Sequence, residues 1–202
     1  MPARAETLDQ RIALLAPHFA VTQPAGDGPF PVLIMLHGCG GPRPFTGPMT
    51  KVAVSAGAAV VNVDSFAPRG ISRMAAFATV CSGARLQGRE RAGDLYAAVA
   101  WARRQSWASG ERLAAIGWSH GGWTIMDALA LRSGAEMARA TGLSDLPAEP
   151  LTGLTQTLIV YPYAGLGSFT GHRPWRINPE STAIVAGRDV IVGPTRNALT
   201  RQ

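Results

Sequence analysis

The sequence predicts an α/β protein: a doubly wound, mostly parallel sheet with helices on both faces, in a single domain over residues 1–202. Three observations carry this. VLIMLHG (32–38) and GAAVVNVD (57–64) are apolar runs of strand length without polar alternation, the pattern of strands buried on both faces. Amphipathic stretches of helical length alternate with such runs. Hydrophobic residues at 47% against 16% charged describe a compact chain rather than a disordered one.

In order, residues 1–29 are weakly patterned and close in the turn-like QPAGDGPFP. The first strand ends in glycines at HGCGG. A short helix around residues 49–56 leads to the second strand, closed by Asp64. GRERAGDLYAAVAWARRQ (88–105) places Leu95, Val99 and Ala102 on one face with its arginines off it, an amphipathic helix. RLAAIG (112–117) is the third strand, and GGWTIMDALALRSGAEMARA (121–140) reads as one helix. TQTLIVYPY (155–163) and STAIVAGRD (181–189) are the fourth and fifth strands.

The net charge of +6 is almost wholly arginine, since Lys51 is the only lysine. The arginines are scattered, with no basic run and no aromatic interleaving, which excludes a nucleic-acid interface but leaves anionic small substrates open. The N-terminus lacks the basic start of a secretory signal, and no stretch reaches the roughly 18 apolar residues of a membrane span. A cytoplasmic protein without membrane association is expected. Cys39 and Cys81 fit neither a zinc pattern nor a disulfide framework; they could pair with each other, but two free thiols are expected in that compartment. No metal or other cofactor is expected.

Chemistry enters with GWSHGG (117–122). A serine on a sharp turn between strand and helix needs very small neighbours, which Gly117, Gly121 and Gly122 supply. The turn lifts the Ser119 hydroxyl above the sheet's carboxyl edge, at a helix N-terminus that favours developing negative charge. A glycine-rich turn with a capping serine is the plainer alternative; a strand before and a helix after favour a nucleophile. HGCGG follows an early strand, where backbone N–H groups can turn inward, with Cys39 and the post-nucleophile His120 as the paired donors of an oxyanion hole. In AGRDVIVGP, Asp189 follows a strand end and fits the acid in a Ser…Asp…His order. Asp64 reads as a turn cap, and Asp127 as surface or packing.

These parts resemble the dienelactone hydrolases of the α/β-hydrolase superfamily, from about Gly28 to the C-terminus. The marks are PFPVLIMLHGCGG, VVNVDSFAPRG, the R-x-x-D-L-Y-A-A-V-A-W helix, RLAAIGWSHGG, and AGRDVIVGP with TRNAL beyond it. The resemblance implies hydrolysis of a small-molecule ester or lactone through an acyl-enzyme on Ser119, with the N–H groups of Cys39 and His120 holding the oxyanion. It also implies that Arg69, in SFAPRG, binds a substrate carboxylate; a surface or loop-anchoring role is the alternative. The dienelactone hydrolases proper carry a cysteine nucleophile, whereas this elbow carries serine, which leaves the substrate open.

The family places its histidine well beyond the acid, in a loop after the last strand, but Gln202 lies 13 residues after Asp189. The expectation is therefore a C-terminally incomplete α/β-hydrolase fold, its last strand and helix missing, with weak or no activity. Of the histidines present, His18 reads as surface, His37 as a brace of the oxyanion loop, and His120 as pointing away from the hydroxyl. His172, in AGLGSFTGHRPW, is the remaining candidate base, in a Ser…His…Asp order. The alternative function is a non-catalytic hydrolase-fold ligand-binding protein, or an inactive fragment.

Overall fold

In the computed structural model, residues 6–186 and Leu199 are described. Six strands form one sheet in the order β1-β3-β2-β4-β5-β6. They are β1 (Phe19–Thr22), β2 (Phe30–Leu36), β3 (Ala59–Val63), β4 (Ala108–Trp118), β5 (Leu154–Val160) and β6 (Glu180–Ile184). Edge strand β1 runs antiparallel to β3, and every other pairing is parallel. The five expected strands are thus present, joined by β1 from the weakly patterned N-terminal segment.

Helix α1 (Leu8–Leu15) was also hidden in that segment. Its local signal is a capping box: the Thr7 hydroxyl accepts from the Gln10 N–H while the Gln10 side chain accepts from the Thr7 N–H. Helix α2 (Thr46–Ser55) follows β2, and α3 (Arg73–Thr79) lies after β3. Helix α4 (Gly88–Arg103) matches its expected span. The stretch expected as one helix over 121–140 is two, α5 (His120–Ala130) and α6 (Ala135–Thr141). The break is local: Leu131 is extended and Gly134 has φ of 80°, so the arginine, serine and glycine between them make a turn.

The strands are buried on both faces because successive side chains serve different layers. Val32, Ile34 and Leu36 of β2 pack with α1, α4 and α5, whereas Met35 joins Val60, Ile116 and Trp118 beneath α2. On α4, Leu95, Val99 and Ala102 are buried as expected. The arginines are not all off that face, since Arg91 shares the stripe with Leu95 one turn on and is fully buried. Among the described residues, no helix is long and apolar enough to cross a membrane.

Candidate active site

The register Leu36↔Gly117 between the adjacent parallel strands β2 and β4 brings both glycine motifs together at the carboxyl edge. Ser119 sits between β4 and α5 with φ 52° and ψ −109°, a conformation that non-glycine residues rarely adopt. It is half-buried, and its N–H donates to the Val160 carbonyl at 2.8 Å. The neighbouring glycines are a spatial requirement. A Cβ on Gly117 would collide with the backbone of Gly121, and one on Gly121 with the Leu36 carbonyl. One on Gly122 would lie 2.9 Å from the Pro162 side chain.

The HGCGG loop packs directly on this turn. A Cβ on Gly38 would stand 3.4 Å from the Trp118 carbonyl and 3.6 Å from Ser119 Cβ. Gly41 N–H donates to the Gly38 carbonyl, closing a tight turn. Cys39 is therefore in the loop beside the serine, and His120 opens α5, whose first N–H groups have no partner within the helix. Helix α5 runs eleven residues behind them.

His37 braces this arrangement. Its Nδ1 donates to the Gly38 carbonyl at 2.7 Å, and its Nε2 accepts from the Ser65 N–H at 3.2 Å. Burial, with Arg91 nearby, holds it well below the usual imidazole range, so it stays neutral. His120 is buried against Arg91 and Trp123, and burial lowers it to about 3, with the Arg91 charge adding to the effect. Asp64 caps a turn, accepting from the N–H groups of Phe66 and Ala67.

Arg69 does not present a free fork. Its Nη1 donates to the Ser65 carbonyl (2.7 Å) and to Asp94 (3.0 Å), and its Nη2 donates to Asp94 (2.7 Å). The structure thus gives Arg69 the loop-anchoring role, because a buried carboxylate with Arg11 on its other flank needs a cationic partner. The expectation of two free thiols is also corrected. Cys39 and Cys81 form a disulfide with Cα atoms 5.1 Å apart, because α3 and the turn after it bring Cys81 back against the HGCGG loop.

Asp127 is neither surface nor simple packing. It is fully buried on α5 and accepts from the Phe169 N–H (2.9 Å) and the Ser168 hydroxyl (3.2 Å), tying down the loop after β5. Burial pushes its carboxyl up to about 7, against the pull of those two donors.

The proton-transfer partners are not assembled around Ser119 among the described residues. The Ser119 hydroxyl makes no hydrogen bond there, and the side chains of His18 and His172 are exposed and unbonded there. Asp189, the expected acid, lies outside the described residues. A cavity of about 510 Å³ opens beside His37 and Asp64, between α2 and β1, and Ser119 does not line it.

The model of the prolyl oligopeptidase family matches residues 47–135, from α2 through the elbow and α5. Among solved structures, a Klebsiella pneumoniae protein provisionally named a dienelactone hydrolase aligns with TM-score 0.58 at 12% identity, covering 91% of this chain and 78% of its own. A lidless α/β serine hydrolase of Xanthomonas campestris aligns with TM-score 0.50 at 20% identity, covering 90% and 70%. Esterase B of Lactobacillus rhamnosis aligns with TM-score 0.51 at 17% identity over 76% of this chain, which spans 46% of that enzyme. A comparison with curated proteins finds no match. The chain has the α/β-hydrolase fold.

Proposed function

We propose that this chain is a serine hydrolase of carboxylic esters or lactones that forms an acyl-enzyme on Ser119. The observation that carries it is the backbone of Ser119, held at φ 52° between a strand and a helix while three glycines make the close approach possible. A serine that served only as a helix cap would need neither feature, and this one makes no side-chain cap bond. In this reading the Ser119 oxygen attacks the acyl carbon. The carbonyl oxygen becomes an oxyanion received by the N–H groups of Cys39 and His120, and the alcohol or lactone oxygen leaves with a proton. Water then releases the acid.

Asp189 is the proposed acid of the site, and His172 is the candidate base that substitution must test. The test of the reading is a p-nitrophenyl ester assay on wild type and Ser119→Ala, with a proline-containing peptide amide run beside it in view of the prolyl oligopeptidase match. We expect loss of the serine to lower ester turnover roughly a thousandfold or more. Equal rates would remove Ser119 from the mechanism.

One observation favours a second reading, a hydrolase-fold protein that binds a ligand without turning it over: the Ser119 hydroxyl has no base among the described residues. Ligand-induced stabilisation with no turnover and no acylation of Ser119 would select it. The cytoplasmic expectation also meets the Cys39–Cys81 disulfide, since such bonds persist in oxidising compartments. Alkylation of free thiols in the host before lysis decides: labelled cysteines place the chain in a reducing compartment.

A further inference from the structure

We infer that Arg91 is the positioning residue of the oxyanion hole, its single guanidinium fixing from behind the two chain segments that carry both donor N–H groups. The inference rests on the serine-hydrolase reading and adds a role that the elbow alone does not suggest.

Arg91 lies in the first turns of α4 and is fully buried. Its Nη1 donates to the His37 carbonyl at 2.7 Å, the residue from which Gly38 and Cys39 depart. The same nitrogen donates to His120 Nδ1 at 3.3 Å, on the residue that follows the nucleophile. Its Nε donates to the Ser65 hydroxyl at 2.8 Å, and the Ser65 N–H in turn holds His37 Nε2. The partners lie 54, 29 and 26 positions away in the chain, so nothing local would hold them in common. A planar fork reaches three acceptors together; an ammonium on a flexible stem does not.

Charge points the same way. Arg91 makes no ion pair among the described residues. Asp94, one turn further along α4, is already bound by Arg69 and Arg11. Burial lowers the basicity of Arg91, to about 10, and the group remains a cation at neutral pH. A buried cation is costly where it serves only packing. Here it stands behind the place where an oxyanion would form, and negative charge there would interact favourably with it.

The test compares wild type with Arg91→Lys and Arg91→Met by amide hydrogen exchange resolved at single residues, together with p-nitrophenyl acetate kinetics. We expect exchange at residues 38–41 and 120–121 to quicken at least tenfold in Arg91→Met while β5 and α1 stay protected, with Arg91→Lys intermediate. We expect kcat to fall about a hundredfold with KM unchanged, and the lysine variant to recover part of it. Unchanged exchange in those two segments, or a loss expressed only in KM, overturns the inference. Should Arg91→Met fail to fold, Arg91→Lys alone decides on the same criteria. Wild type with no esterase activity, or equal to Ser119→Ala, would sink the serine reading and leave the exchange result to judge Arg91.

Discussion

On one side of Ser119, the loop 37–41 is held by Arg91 through the His37 carbonyl, by both nitrogens of His37, and by the Cys39–Cys81 disulfide. On the other side, β5 leads into a connection over residues 161–179 and then into β6, whose five residues are all exposed. Asp127 ties that connection at Ser168 and Phe169, and Tyr163 rests edge-on against Trp123 at 5.0 Å. The first side is fixed by a buried cation and a covalent bridge, the second by a buried carboxylate and an aromatic contact, before it runs out into an exposed strand. Stabilising an oxyanion requires donors already in place, and the first side provides that kind of order. In the proposed reaction, proton transfer would draw on the second side, where Asp189 and His172 were expected.

The largest test of this contrast removes the covalent tie. Cys81→Ser should lower unfolding stability by roughly 4 kcal/mol in the chain-entropy picture for a 42-residue separation, read by denaturant titration against oxidised wild type. A loss near zero would mean that Arg91 and His37 hold the loop without help.

Asp127→Asn probes the opposite side. With its folded carboxyl raised to about 7 against 3.8 unfolded, wild type binds more protons folded than unfolded across that interval. The contribution of Asp127 is thus fully present at low pH and is lost as pH rises through 7, by up to roughly 4 kcal/mol. The asparagine variant should be the more stable at pH 8, with the gap closing towards pH 4. His120 acts in the reverse sense, since a folded value of about 3 takes stability away as pH falls below 6.5. Comparing the two proteins at each pH cancels that background, and a pH-independent difference would refute the assignment to Asp127.

The smallest expected effect is at His172. Exposed and unbonded among the described residues, it should tolerate alanine with activity within twofold of wild type. A drop of a hundredfold or more would instead make it the base and bring the second side into the chemistry.

The elbow was legible because its demands are local: glycines at 117, 121 and 122 flank the serine, and the apolar run before them announces a strand. The strands β2 and β3 were legible for a similar reason, being apolar on both faces. Helix α1 left a readable trace in its Thr7–Gln10 box that the weak periodicity around it obscured. The split between α5 and α6 was written in Arg132, Ser133 and Gly134, which outweigh the helical pattern on either side. Arg91 and Asp94 were not legible. Their roles arise from partners brought together by the sheet, and an arginine on a helical pattern ordinarily marks the wet face. The disulfide was hidden likewise, since its halves meet only once α3 has folded back on the loop 37–41.

The backbone of Ser119 has one more consequence. A residue held at φ 52° and ψ −109° opposes the fold that contains it, and glycine would occupy the same turn with less penalty. If Ser119 is the nucleophile proposed above, its position is where reactivity and stability trade against each other. A search for sturdier variants of this chain will be drawn to position 119, and each gain it finds there will be made by discarding the hydroxyl.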